Sequence, residues 1–144
     1  MFSTVSLAQS EHDHDNDCHP HHGHGPCLPI TLTSFTAKAI HNAVKITWTT
    51  SSETNNDYFT LYRSPNGFEY LELVGTISGS GNSTMVNNYS YTDEYPSNGL
   101  NYYVLTQTDY NGERVQYDPI AVYFIKPPEM DIWDYYNFLG QEIK

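Results

Sequence analysis

Residues 11–26 read EHDHDNDCHPHHGHGP, the densest group of ligand-type side chains in the chain. His12, His14, His19, His21, His22 and His24 stand among Glu11, Asp13, Asp15 and Asp17, with Cys18 inside the run and Cys27 just after it. Neutral imidazole binds zinc, copper and nickel well, so Zn, Cu or Ni is the cofactor class this tract would take. The metal-ligand candidates are the six histidines with Asp13, Asp15 and Asp17. Their spacing does not match a structural zinc site, in which Cys and His pairs recur at set separations. Asp13, Asp15 and Asp17 imitate the start of a calcium loop, but Cys18 stands where that loop needs glycine and no closing Glu follows. A solvated spacer is the competing reading of the same tract.

The rest of the chain offers little for catalysis. After residue 27 there is one histidine, His41, in a turn-like Ile40-His41-Asn42, and there is no cysteine nucleophile. No glycine-rich phosphate loop stands between a strand and a helix. Glu53 and Asp57 are close enough in sequence to suggest paired carboxylates, but they read more simply as a polar inter-strand connection. No catalytic residue is assigned, and the expectation is a non-enzyme. Tyr58, Tyr62, Tyr70, Tyr102 and Tyr117 are candidates for outward faces, where tyrosine rings stack on sugars or form protein contacts.

Composition bounds what must position these groups. A chain of 144 residues holds one domain of ordinary size plus tails. Its thirteen tyrosines favour strands, where aromatic side chains fit a pleated, half-buried surface. The formal charge is −11, and the six basic residues, Lys38, Lys45, Arg63, Arg114, Lys126 and Lys144, are scattered. Such a chain has no electrostatic footprint for a phosphate backbone, so nucleic acid is excluded as a partner class. No apolar run approaches the ~20 residues that span a bilayer.

Phe2, Val5 and Leu7 followed by Ala8-Gln9 look like the end of a secretory signal with its small-residue cleavage site. The even cysteine count near that signal points to one disulfide, Cys18 to Cys27, outside the strand-rich body. If the disulfide forms, thiolate ligation is excluded and only imidazoles and carboxylates remain for a metal. The His/Asp-rich run cannot bury a core and is expected to be disordered.

From Leu28 to Phe124 the chain reads as about seven short strands. Ile30–Ala37 carries Leu32, Phe35 and Ala37, whose broken alternation implies a bulge. Val44–Thr50 alternates cleanly, with Val44, Ile46 and Trp48 on one face. A polar connection, Ser51–Asn56, leads to Tyr58–Arg63 with Phe59 and Leu61 inward. Ser64-Pro65-Asn66-Gly67 reads as a hairpin turn before a strand Phe68–Thr76, and a Gly/Ser/Asn loop then runs through Ser83. Asn88–Asp93, Asn101–Thr108 and Val115–Phe124 complete the set, with turns at Pro96–Gly99 and Tyr110–Glu113. Pro119 marks an edge position or a bulge in the last strand. These strands make an all-β, antiparallel two-sheet sandwich of the immunoglobulin-like kind. Its expected core anchors are Phe35, Trp48, Phe59, Leu61, Tyr103, Leu105 and Val122.

The segments LPITLTSFTAK, VKITWTTSSETNNDYFTLYRSPNGFEYLELVGTI, NYSYTDE and GLNYYVLTQTDYNGE together resemble a fibronectin type III-like domain. The variety is the one found near the C-terminus of large secreted Bacteroidetes proteins. In that family the domain usually precedes a C-terminal sorting domain read by the type IX secretion system. Asp131–Lys144, DIWDYYNFLGQEIK, is similar to the opening of such a sorting domain, where a strand and a LLGQEV-like turn recur. The pattern here is incomplete, without the flanking segments that normally precede and follow it.

The organisation expected is thus a signal remnant over 1–9, a His/Asp-rich segment over 10–27, a sandwich over 28–126 and a sorting-like tail over 127–144. The resemblance implies a secreted or cell-surface location, or the periplasm if the tail does not sort. It implies a non-catalytic spacer, presentation or interaction module. Its partners would be neighbouring domains or surface proteins and the type IX secretion machinery. A metal-binding protein using the histidine tract and a carbohydrate-binding accessory module, with glycan as partner, are the alternatives.

Overall fold

The computed structural model describes residues 30–65, 67 and 69–142. Seven antiparallel strands and one helix follow in order: β1 Ile30–Ile40, β2 Ala43–Ser64, β3 Glu72–Ser83, β4 Asn87–Asp93, β5 Gly99–Asp109, β6 Arg114–Gln116, β7 Ile120–Phe124 and α1 Ile132–Glu142. Hydrogen-bonded pairing links all seven strands in one branched network, because β2 passes through both layers. Its first half pairs with β1 and β4, its second half with β3 and β5, and β5 carries β6 and β7 on its far side. The result is a three-stranded sheet, β1-β2-β4, facing a four-stranded sheet, β3-β2-β5-β6/β7. This is the immunoglobulin/fibronectin type III-like sandwich.

The turn between the two halves of β2 is a corner within a strand rather than the expected polar loop. Asn55 sits at φ 55°, and the ladder to β3 shifts register between Glu53 and Asn56. Positive φ is a state that Asn tolerates better than most residues. β3 bends with β2: Gly81, at φ 65°, pairs with Asn56, and Ser83 pairs with Glu53. The Gly/Ser/Asn run read as a loop is therefore strand, and β3 starts at Glu72 rather than Phe68.

Glycine serves close approach along β3. A Cβ on Gly75 would lie 2.5 Å from the Tyr91 ring, whose hydroxyl donates to the Val74 carbonyl at 2.9 Å. A Cβ on Gly79 would lie 2.7 Å from the Asn56 backbone oxygen and closer still to its amide side chain. Backbone cannot yield as a side-chain tip can, so Gly79→Ala is expected to cost ~1–3 kcal/mol. Gly140→Ala, with nothing within 4 Å, serves as control. Equal urea midpoints for the two variants would refute the close-approach account.

The core lies between the sheets. Trp48, Phe59, Leu61, Tyr103 and Leu105 are fully buried together with Val44 and Ile46, while Phe35 and Val122 are only half-buried against them. Those two belong to β1 and β7, at the rim of the sandwich, so neighbours cover them on one side only. The broken alternation in β1 is a bulge, with register shifts flanking Leu32. Pro119 splits the expected last strand into β6 and β7.

The two ends of the folded body lie at opposite poles. Ile30 pairs with Glu53 beside the Asn56–Asp109 pair, whereas Phe124 pairs with Gly99 at the pole shared by Ser64, Asp93 and the His41-Asn42 turn. Beyond Phe124, the strand and turn implied for Asp131–Lys144 are not found among the described residues. Residues Ile132–Glu142 are helical, and Ile132, Trp133, Tyr135, Tyr136 and Phe138 are each more than half exposed. Apolar residues at 132, 135, 136 and 139 follow helical rather than alternating spacing, which explains the difference.

Candidate functional site

The densest ligand-type cluster of the sequence lies outside the described residues. His12, His14, His19, His21, His22, His24, Asp13, Asp15, Asp17 and the cysteines Cys18 and Cys27 all fall there. Among the described residues no group of three or more His, Cys, Asp or Glu side chains is placed to hold a metal ion. What the fold does bring together is two buried polar clusters, one near each pole, and a cleft.

The first cluster surrounds Glu53, 2% exposed at the corner of β2. Its carboxylate accepts from Thr50 Oγ1 at 2.8 Å, Asn56 Nδ2 at 2.8 Å, the Ser80 amide at 2.8 Å, Tyr89 Oη at 2.6 Å and Asn87 Nδ2 at 3.4 Å. These donors come from β2, β3 and β4, so one carboxylate ties three strands. Burial pushes the Glu53 carboxyl up, but the hydrogen bonds from Tyr89, Asn56, Ser80 and Thr50 outweigh it and hold the group below its ordinary value. The same contact, with burial as the larger cause, pushes the Tyr89 phenol up to about 12. Asp57, the other half of the suspected carboxylate pair, is exposed. The two do not form a catalytic dyad: every donor named above is spent on holding Glu53 ionised and immobile.

A pH effect follows from this cluster. The folded value of Glu53 lies below the unfolded one, so its stabilisation is complete above the unfolded value near 4.3 and is lost as pH falls through the folded value. Glu53→Gln is expected to cost ~2–3 kcal/mol at neutral pH, since an amide must turn a donor toward donors. The gap between parent and variant in urea midpoint should narrow steadily between pH 5 and pH 3. A gap independent of pH would contradict the assignment. Asp109, which burial raises, contributes to both proteins and cancels in the difference.

The second cluster joins the two sheets. Arg63, 6% exposed, points inward after Phe59 and Leu61 and donates through Nη1 to Asp93 Oδ2 and through Nη2 to Glu72 Oε2 at 2.7 Å. Tyr103 Oη donates to the same Asp93 oxygen at 2.8 Å, and the Tyr95 amide donates to Asp93 Oδ1 at 3.0 Å. Burial drives the Tyr103 phenol well above its usual range, with the Asp93 contact adding to it. Burial lowers the Arg63 guanidinium, and its contacts with Glu72 and Asp93 more than restore it. Sequence reasoning missed this group. The available signal was a charged residue on the inward phase of an apolar strand.

At the same pole lies a cleft of 480 Å³ between the β1–β2 turn, the β4–β5 connection and the chain after β7. His41, Glu94, Tyr95, Phe124, Lys126 and Glu129 are among its lining residues. Lys126 pairs with Glu129, and its amide donates to Asn98 Oδ1 at 2.6 Å. His41 is exposed and has no hydrogen-bond partner among the described residues.

The tyrosines divide. Tyr70 is 70% exposed, Tyr58, Tyr62 and Tyr102 are half-buried, and Tyr117 packs against the core instead of facing outward. Tyr117 shifts because its amide bonds to the Leu105 carbonyl, which places it on the inward phase beside that residue.

No family model matches the chain, and no curated protein sequence matches it. Solved structures match at the level of fold. A pectate lyase Pel3 from Pectobacterium carotovorum has 15% identity and a TM-score of 0.50 over 68% of this chain and 27% of its own. Pectate lyase PelI from Erwinia chrysanthemi, solved with tetragalacturonic acid, has 14% identity and a TM-score of 0.49 over 65% and 28%. An Fn3-like protein from Clostridium thermocellum has 18% identity and a TM-score of 0.48 over 70% of this chain and 98% of its own. The chain spans less than a third of the length of the pectate lyases it matches.

Proposed function

We propose that this chain is a non-catalytic β-sandwich module that holds neighbouring parts of an exported bacterial protein apart and in line. The observation that supports it most is the placement of its ends. The chain enters at the Glu53 pole and leaves at the Arg63–Asp93 pole, and a strand the length of β5 spans roughly 35 Å between them. Each pole is fastened internally by a buried charged group with several partners, so its polar chemistry is spent on rigidity. The resemblance to C-terminal domains of secreted Bacteroidetes proteins supports reading such a module as one that works at the cell surface or outside the cell, with neighbouring domains and the type IX secretion machinery as proposed partners.

Energy transfer between dyes on Thr31→Cys and Ile125→Cys, with Cys18 and Cys27 replaced by serine, tests the geometry. A separation of roughly 35 Å that persists when flanking domains are fused supports the spacer role. Ends that meet at one pole would end it. Proteolysis of intact cells expressing the tagged protein tests the location.

A second reading is favoured by the six imidazoles packed between His12 and His24: a metal-binding protein for zinc, copper or nickel. Titrating each metal into the full chain and into a form starting at Leu28 separates the two. Tight, stoichiometric binding that disappears on truncation favours the metal reading.

A further inference from the structure

Charge is shared unequally between the two poles. The ion pairs among the described residues, Arg63–Glu72, Arg63–Asp93 and Lys126–Glu129, all lie at the Arg63–Asp93 pole. The other pole gathers Glu53, Asp109 and Glu113, with no ion pair among the described residues. Carboxylates withdrawn from water are as a rule paired or bound to a metal. Both oxygens of Glu53 are taken by the donors already named. Asp109 differs: it is half-buried, and Gln107 Nε2 is the one side-chain donor it has among the described residues. Burial raises its carboxyl, the Gln107 contact lowers it, and the charge of Glu113 raises it again.

Two amides complete the group. Asn56 and Gln107 are fully buried, and neither Asn56 Oδ1 nor Gln107 Oε1 has a hydrogen-bond partner among the described residues. Asn56 is the register partner of Asp109, and the Tyr110 amide ties the β5–β6 hairpin to the Asn55 carbonyl at 3.0 Å. Gln107 lies two residues before Asp109, on the same face of β5. Asn56 Nδ2 is committed to Glu53 on the β3 side, where a Cβ on Gly79 would lie 2.3 Å from it. A carboxamide carries its oxygen across Cγ from its nitrogen, so Oδ1 turns toward the β5 side. Burial pushes the Tyr117 phenol up, and the charges of Asp109 and Glu53 add to it, so its hydroxyl faces the same group.

We propose that these oxygens form a site for one hard divalent cation of the calcium class, which would fasten the corner of β2 to the β5–β6 hairpin. Asn56 Oδ1, Gln107 Oε1 and the Asp109 carboxylate are its ligands, and Glu113, exposed across the hairpin, supplies further negative charge. Calcium takes about six to eight oxygens in flexible geometry, so amide oxygens and water complete a set begun by one carboxylate. Magnesium demands near-ideal octahedral positions, which side chains already held by Glu53 and Asp109 cannot rearrange to supply. Zinc, copper and nickel favour imidazole, and His41 lies at the other pole.

Thermal melting of the full chain in CaCl2, MgCl2 or NaCl at matched ionic strength tests this. Calcium at about 1 mM should raise the Tm by roughly 5 °C, magnesium less, and sodium not at all. In calorimetric titration, Asp109→Asn and Gln107→Met should each weaken calcium binding roughly tenfold or more. Asp57→Asn, exposed beside Asn56, removes the same charge and should leave binding unchanged. Calcium held by the acidic run 11–17 is common to all these proteins and cancels. Asp109 is exposed enough that its variant carries the test even if Gln107→Met fails to fold. No rise in Tm with calcium would overturn the proposal and leave a bridging water between the amides. So would binding that survives Asp109→Asn, or equal loss from Asp57→Asn, the mark of diffuse attraction to the net negative charge. A Gln107→Met protein that melts higher and responds to calcium as the parent does would overturn it too. None of these outcomes bears on the placement of the ends, so the spacer reading stands or falls separately.

Discussion

Asp93→Ala is expected to destabilise the domain by about 3–5 kcal/mol, because it strands a buried guanidinium. In the intact fold Asp93 lies at the end of β4 in one sheet and Arg63 in the second half of β2 in the other. Removing the carboxylate leaves Arg63 with Glu72 alone, whose side chain is 54% exposed, and leaves the buried Tyr103 hydroxyl without its acceptor. Arg63 Nε already lacks a partner among the described residues, so nothing within the cluster takes up the loss. Glu72→Ala, by contrast, removes a solvent-screened partner and should cost no more than ~1 kcal/mol.

A paired change distinguishes the ion pair from simple packing. Arg63→Met with Asp93→Leu removes both charges and should cost clearly less than the two single changes together, with a coupling of roughly 1–3 kcal/mol. Urea denaturation of the four proteins reads this directly. An additive cycle, or a cost for Asp93→Ala under ~1 kcal/mol, would mean that the pair does not hold the sheets together.

Trp48→Ala should be comparably severe, at about 3–5 kcal/mol. The indole is fully buried and joins three rings across the sandwich. It stacks on Tyr89 at 5.4 Å and 11° and meets Phe59 edge-on at 5.4 Å, while Phe59 and Tyr89 lie 5.0 Å apart. Trp48 and Tyr89 are register partners in the three-stranded sheet, and Phe59 belongs to the other. The cavity left by alanine therefore opens at the contact between layers, where neither sheet can collapse without moving the other. In a domain near 100 residues the loss corresponds to a fall in Tm of roughly 15–30 °C.

Among the described residues the indole N–H has no acceptor, so this energy is packing rather than hydrogen bonding. Trp48→Phe keeps a ring, sacrifices no hydrogen bond, and is expected to cost less than half as much as alanine. Melting of Trp48→Ala within a degree or two of the parent would contradict the register of β2. Near-equal costs for Phe and Ala would contradict the packing account.

Several elements were legible from residues alone. The alternation of Val44, Ile46 and Trp48 defined a buried face, and the broken spacing of Leu32, Phe35 and Ala37 marked the bulge in β1. Asn111 and Gly112 marked a hairpin that is present: Gly112 has φ 88°, and its amide bonds to Asp109 O at 2.8 Å. The C-terminal helix follows the helical spacing of Ile132, Tyr135, Tyr136 and Leu139 rather than the strand that the resemblance implies. The run Ser51–Asn56 is polar, which by itself predicts a loop. In the fold its polarity is internal, since Glu53 and Asn56 are buried as hydrogen-bonded partners.

What the sequence determined by itself was the local grammar: strand period, turn chemistry, the bulge, and which aromatic residues face a core. Backbone preference and the alternation of side chains across a pleat act over a few residues, so they can be read in one pass. Only the tertiary structure decided that two predicted strands are one bent strand, and that glycines beyond residue 74 make room for Tyr91 and Asn56. It also decided that Arg63 meets Asp93, thirty residues away, and that Tyr62 of β2, Tyr102 of β5 and Tyr123 of β7 come to lie on one sheet. Those outcomes depend on register between distant segments, and a burial pattern along one strand carries no information about its neighbour across the sheet. The histidine tract, the feature richest in ligand groups, lies outside the described residues.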